Sequence, residues 1–179
     1  MASEGRRPWR LRRPTTADAE TVAQWPSSAA EAQQWVSHTA YPFPASKVVS
    51  WWEVPDVRPW LLVDAVGTPM AYGEEWDDPE EDEVELARLI VDPRRRREGI
   101  GTVLVNLLLD QARTGGRSTC FLRVAPDNIG ALLLYRSVGF VEVEPSQAEV
   151  WNQRESVDYV WLSKPLNAAK RAAQQGCGR

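Results

Sequence analysis

The run Arg96-Arg97-Glu98-Gly99-Ile100-Gly101 holds the residue types from which a diphosphate cradle can be made. Gly99 and Gly101 leave the backbone bare, so phosphate oxygens can approach main-chain N–H groups that a side chain would screen. Ile100, Val103, Leu104, Leu107, Leu108 and Gln111 recur at i, i+3, i+4, i+7, i+8 and i+11, which predicts a helix opening at the glycines. The first N–H groups of a helix have no internal acceptor, and the helix dipole adds partial positive charge there. Two other phosphate loops do not fit. A dinucleotide-binding turn needs a third glycine in G-x-G-x-x-G, and a phosphate-loop NTPase needs Gly-Lys-Ser/Thr. Taken alone, two glycines ahead of a helix also describe a tight strand-to-helix turn.

Other residues could do chemistry, and each has a plainer reading. Nine acids lie between Glu74 and Glu85, with Glu83 and Glu85 on the same face of an expected strand. Nine tryptophans are present, and with the acids some could attract a cationic, flat or aromatic substrate; Trp51 and Trp52 are kept as substrate-binding candidates, against ordinary core packing for the rest. Arg94 and Arg95 read as a solvated turn. His38, the single histidine, reads as structural. Cys120 reads as a buried strand residue, since no histidine partner is evident. No metal-ligand cluster is visible, so no metal is expected.

These residues need elements to position them. Trp9 to Arg13 alternates and predicts a strand. Thr15 or Thr16 is placed to cap a helix, and Ser27 or Ser28 a second one running to about Ser37. Tyr41-Pro42-Phe43-Pro44 predicts a loop. Trp60–Val66 and Met70–Trp76 predict a hairpin around Gly67-Thr68-Pro69, followed by a solvated acidic loop from Asp77 to Asp82. Val84–Val91 is the next strand, then the Ile100 helix, stopped by Gly115-Gly116. Ser118–Val124 is a strand, Asn128 caps a helix to Val138, and Phe140–Val143 and Val157–Leu162 close the sheet. The order is β-α-α-β-β-β-α-β-α-β-β, a mixed α/β fold with a mostly antiparallel central sheet flanked by helices.

With 179 residues, the chain is expected to form one domain over residues 8–166, with tails at 1–7 and 167–179. No apolar run approaches the roughly 18 residues of a membrane span, and the N-terminus lacks the apolar segment of a secretory signal. The net charge of −4 argues against nucleic acid as a partner. Two lone cysteines suit a reducing, cytoplasmic setting.

The chain resembles the GCN5-related N-acetyltransferases (GNAT superfamily). Their loop, Arg/Gln-x-x-Gly-x-Gly/Ala, is matched by Arg96 to Gly101. The preceding Val91-Asp92-Pro93 stands at the usual spacing, and a later motif reads Asn128, Ala131, Tyr135, Gly139-Phe140. The resemblance covers about residues 8 to 164. It implies acetyl-CoA as co-substrate and direct attack by an amine in a ternary complex. Leu89, Ile90 and Val91 would offer backbone groups to the pantetheine arm, and Arg96, Arg97, Glu98, Gly99, Ile100, Gly101 and Thr102 would hold the diphosphate. Asn128 and Ala131 would lie at the pantetheine, and Tyr135 would protonate the leaving thiolate. Glu85, fourteen residues before Gly99, stands where histone-type members carry their base, with Glu83 the alternative. The ribosomal-protein N-terminal acetyltransferases place a glutamate five residues before the motif Asn; here Arg123 stands there. The acceptor implied is a small-molecule amine. A protein lysine or N-terminus is the enzyme alternative, and a CoA-binding regulatory module the non-enzyme one. Similar proteins commonly dimerise through their closing strands.

Overall fold

The computed structural model describes residues 9–37 and 40–166. The expected tails, Cys177 and His38 lie outside the described residues. The strands are β1 (Arg10–Arg12), β2 (Val57–Val63), β3 (Pro69–Asp78), β4 (Glu83–Val91), β5 (Thr119–Val124), β6 (Val141–Glu142) and β7 (Val160–Pro165). The helices are α1 (Thr16–Ala23), α2 (Ala29–Val36), α3 (Ala45–Trp51), α4 (Ile100–Thr114), α5 (Ile129–Ser137) and α6 (Pro145–Asn152), with a 3-10 turn at Pro93–Arg95. The seven strands run β1-β2-β3-β4-β5-β7-β6 in one sheet. β4 and β5 are parallel, whereas β1–β2, β5–β7 and β6–β7 are antiparallel. The fold is mixed α/β, as expected.

The capping residues act as the sequence predicts. The Thr15 N–H and hydroxyl both donate to Asp18, at 2.7 and 2.8 Å, which closes a capping box over α1. Ser28 accepts from the Glu31 N–H at the start of α2. Asn128 accepts from the Ala131 N–H at the start of α5. In the sheet, the Asp64 carboxylate takes the Val66 and Thr68 N–H groups and shapes the β2–β3 turn.

Two helices were not expected. α3 follows Pro44, which stands at the N-cap in an extended conformation and offers no side-chain cap, so the usual start signal is missing. α6 begins at Pro145 itself, where proline supplies a helix-ready φ and gives up an N–H that would be unsatisfied anyway, but none of its residues is buried, so it carries no apolar stripe to betray it. The acidic loop also begins later than expected. β3 continues to Asp78, and Asp77 is buried, bonded by Arg58 at 2.6 Å and by Arg117 at 2.6 and 3.0 Å. Two arginines offset its charge, so the residue sits inside the strand and not in a solvated turn. β2 is shifted too, ending at Val63 where a strand to Val66 was expected, because Asp64 opens the turn.

The chain falls into two compact units. One comprises Met1–Pro55, Pro59–Glu74 and Arg88–Leu104; the other comprises Asp56–Arg58, Glu75–Ala87 and Val105–Arg179. The core of the first gathers Ala19, Val22, Trp25, Phe43, Val48 and Leu61, among others, with Trp35, Trp51 and Trp52 packed against it. The second buries Leu108, Leu109, Cys120, Leu122, Phe140 and Leu162.

Candidate functional site

In the first unit, β4 reaches Val91, and Asp92 takes the Arg94 N–H to start the 3-10 turn. The backbone then enters the left-handed region at Arg97 (φ 68°) and again at Gly99 (φ 77°). A Cβ built on Gly99 would have no protein atom within 4 Å, so glycine is needed for its conformation, and the space above it is open. The first closing bond of α4 runs from the Val103 N–H to the Gly99 carbonyl, 3.1 Å. The Ile100, Gly101 and Thr102 amides therefore precede the helical ladder, the arrangement that receives anions. Arg94 pairs with Asp92 and Arg95 with Glu98 at the surface. Arg96 turns back toward the protein. Its guanidinium pairs with Glu31 and lies 3.4 Å from the Trp25 carbonyl, tying the loop to α2.

Upstream of the loop, β4 is bent at Arg88, whose φ of 50° is rare for a residue with a side chain. Several groups hold it there. The Arg88 guanidinium bonds Glu74, fully buried on β3, at 2.7 Å, and lies 4.1 Å from the centre of the Trp51 ring. The Trp35 indole N–H donates to the Arg88 carbonyl at 2.9 Å. The Tyr72 hydroxyl donates to Glu74 at 2.5 Å and accepts from the Trp52 indole at 2.9 Å. Trp51 and Trp52, the substrate-binding candidates of the sequence, are partly buried against the first unit's core and take part in this network. Leu89, Ile90 and Val91 follow the bend immediately.

In the second unit, an open cavity of about 410 Å³ is lined by Trp76, Phe121, Trp151 and Trp161 and by Glu83, Glu85, Glu155 and Asp78. Both candidate bases face the same space. Glu83 stands opposite Thr119 and Glu85 opposite Phe121 in the parallel β4–β5 pairing. Their surroundings differ. Arg123 of β5 places Nε 3.3 Å from Glu85 and Nη1 2.5 Å from Glu155. The same guanidinium lies 5.2–5.7 Å from the ring centres of Trp76, Tyr159 and Trp161. Glu83 has burial, then Glu81, Asp78 and Asp82, around it, and its carboxyl is held above the ordinary value for those reasons.

Tyr135, also in this unit, is buried on α5, with its ring edge-on to Phe140 at 6.2 Å. Burial pushes its hydroxyl upward in pKa, so it holds its proton at neutral pH. Cys120 is buried and likewise pushed upward by burial, the state of an inert thiol.

A model of the acetyltransferase (GNAT) family matches residues 20–140, more than half of the chain. The chain belongs to that family. It is 41% identical over 61 residues to a ribosomal protein bS18-alanine N-acetyltransferase of Salmonella typhimurium, a match covering 34% of this chain and 41% of that enzyme. It is 48% identical over 61 residues to the N-alpha-acetyltransferase RimI of Mycobacterium tuberculosis, covering 34% and 37%. The matched stretch spans less than half the length of these relatives. A solved spermidine N-acetyltransferase of Vibrio cholerae, in complex with CoA and spermine, shares the fold at a TM-score of 0.74 and 17% identity, covering 90% of this chain and 97% of its own.

Set beside the GNAT motifs, the structure gathers some expected residues and adds others. Leu89–Val91 and the loop to Thr102 belong to one unit, with the bend at Arg88 just ahead of them and the Arg96–Glu31 pair within the loop. Glu83 and Glu85 share one cavity. Asn128 is occupied in part as the cap of α5. The cavity residues Trp76, Trp151, Trp161, Phe121 and Glu155 were not singled out in sequence. Trp151 and Glu155 lie on and just after α6, whose polar pattern gave no signal, and the rings of β3, β5 and β7 read as ordinary strand residues.

Proposed function

We propose that this chain is an N-acetyltransferase that moves the acetyl group of acetyl-CoA to the amine of a cationic small molecule. The observation that carries the acceptor is the second unit's cavity, where aromatic rings and carboxylates line the same space. Aromatic faces and carboxylates both attract an ammonium, and an open cavity of this size suits a small amine. The exposed amides at the start of α4 and the open space above Gly99 support diphosphate binding. With acetyl-CoA bound by the loop and by the Leu89–Val91 backbone, the amine lone pair attacks the thioester carbonyl. A cavity carboxylate removes the amine proton, the C–S bond breaks, and the Tyr135 hydroxyl protonates the departing thiolate. A free amine has a pKa of roughly 10, so proton removal is needed at pH 7.

A protein N-terminus is the second reading, favoured by the relatives that acetylate a ribosomal protein's alanine. Against it stands Arg123 at the position where those enzymes are expected to carry a glutamate. Thiol release from acetyl-CoA, measured with polyamines, aromatic amines, neutral amines and alanine-starting peptides, tests the proposal. Turnover should be greatest with the cationic small amines. Turnover confined to peptides overturns the acceptor, and CoA binding without any transfer overturns the activity.

A further inference from the structure

Glu83 and Glu85 are two residues apart on one face of β4 and open on one cavity, yet only Glu85 has a cation fixed beside it. Arg123 cannot readily swing away. Its guanidinium is held by Glu155 on one side and is bounded by the rings of Trp76, Tyr159 and Trp161. The Arg123 and Glu85 side chains are only 25% and 20% exposed, so the pair is screened less than one at full exposure. We propose that Arg123 decides which carboxylate does the chemistry: by holding Glu85 in a charge pair, it leaves proton removal from the acceptor to Glu83. This inference rests on the acetyl-transfer reading above and names the base within it.

The charged groups that act directly on Glu83 are all acidic, and the arginines nearby are paired to other carboxylates. β3 contributes Asp78, and also Asp77, whose charge is taken by Arg58 and Arg117. The β3–β4 turn contributes Glu81 and Asp82, the latter bonded by the Ser118 hydroxyl. β4 contributes Glu85, itself facing Arg123, and the segment after α6 contributes Glu155, shared with the same arginine. Among the described residues no arginine or lysine pairs with Glu83, whereas Glu85 meets one at 3.3 Å. Glu85 is itself only 20% exposed, so the neighbouring charges and not burial separate the two: a carboxylate amid like charges holds a proton more tightly and is the stronger base, while a cation alongside weakens proton affinity. In the transfer step the acceptor nitrogen forms its bond to the acetyl carbon, and its N–H proton passes to a Glu83 oxygen, directly or through one water.

Steady-state kinetics of Glu83→Gln, Glu85→Gln, Arg123→Gln and the double Glu83→Gln/Arg123→Gln, each over pH 5.5–9.5, tests this. Glu83→Gln should lower kcat by about 10²–10³-fold with an unchanged KM for acetyl-CoA. Glu85→Gln should act mainly on the KM for the amine, with a fall in kcat at least about tenfold smaller than that of Glu83→Gln. Releasing Glu85 in the double variant should recover at least about tenfold of what Glu83→Gln lost, a rescue that a merely structural role for Arg123 would not give. Loss of kcat in Glu85→Gln with a near-normal Glu83→Gln overturns the proposal, and so does a double variant no better than Glu83→Gln. If no amine is acetylated by the unaltered protein, the activity reading fails first. The ordering is then decided by ¹³C-detected titration of the glutamate carboxyls. Glu83 should titrate at higher pH than Glu85 in the unaltered protein, and Arg123→Gln should close the gap; the opposite order overturns the inference.

Discussion

At the scale of single residues, two side chains carry consequences that can be measured apart. Tyr135 is buried, keeps its proton, and stands in the GNAT motif position. Tyr135→Phe keeps the edge-on contact with Phe140 and removes only the hydroxyl. If that proton reaches the CoA sulfur, whose thiol pKa is near 8.5, kcat should fall by roughly 10²–10⁴-fold with an unchanged melting temperature. Full turnover in the variant would exclude the role. Asp18 lies outside the candidate site and contributes to stability on the acid side. Bonding from Arg12, followed by the Thr15 N–H and hydroxyl against an opposing cost of burial, lowers it from 3.8 to about 2. A carboxylate whose folded pKa is depressed contributes stability that is complete above the unfolded value and is lost as pH falls through the folded one. A difference near two pH units corresponds to about 2 kcal/mol. Asp18→Asn should therefore destabilise by about that amount at pH 7, and the two unfolding free energies should converge as pH falls from about 4 to 2, followed by denaturant titration.

At the scale of elements, β4 and the loop after it show why some features were legible and others were not. The loop was legible because its glycines serve the backbone directly. Gly99, at φ 77°, would be strained by any side chain, even with space above it. Gly99→Ala should cost about 1 kcal/mol of stability and leave acetyl-CoA binding measurable. Gly99→Glu should cost a similar amount and abolish binding by calorimetry, because it puts negative charge where the diphosphate goes. The bend at Arg88 was not legible, because it depends on partners distant in sequence: Trp35, Trp51 and the buried Glu74. Its dependence on Glu74 gives a sharper test. Glu74→Leu leaves the Arg88 guanidinium without its carboxylate and should destabilise by about 3–5 kcal/mol in urea. The double Glu74→Leu/Arg88→Met should recover most of that, since replacing a buried pair costs far less than breaking it. A double variant as unstable as the single one would show that the bend, and not the charge pair, is what the arginine supports. α4 shows a subtler limit. Its period was readable, but the buried positions are Ile100, Leu104, Val105, Leu108, Leu109 and Ala112, while Gln111 is exposed. Leucines on both sides of the stripe left the exact face undetermined by pattern alone. α3 had a legible stripe in Ala45, Val48, Val49 and Trp52, masked by the Pro- and aromatic-rich loop ahead of it.

At the scale of the whole molecule, the charge distribution is what sequence and structure share most directly. The chain carries 25 acids against 21 arginines and lysines, and nine of the acids lie between Glu74 and Glu85. The structure shows that these acids are not equivalent. Asp77 is neutralised by Arg58 and Arg117, and Glu74 by Arg88, so they add little to the outward field. Glu85 and Glu155 share one arginine, and Asp78 and Glu83 add further negative charge at the cavity. The residual negative potential should therefore draw cations to this opening even after the internal pairs are discounted. Such attraction weakens with salt, because the screening length shrinks from roughly 10 Å at 0.1 M to 3 Å at 1 M. For a dicationic amine, kcat/KM should fall several-fold between 0.05 and 0.5 M salt, mainly through KM, whereas kcat at saturating amine should hold. An acceptor carrying only its reacting amine should respond less steeply, and a peptide of no net charge should scarcely respond. Stopped-flow or steady-state thiol release across a salt series separates these slopes. Equal slopes for all acceptors would show that the acids serve only the fold, and that the rings of Trp76, Trp151 and Trp161 recognise the amine without help from the field around them.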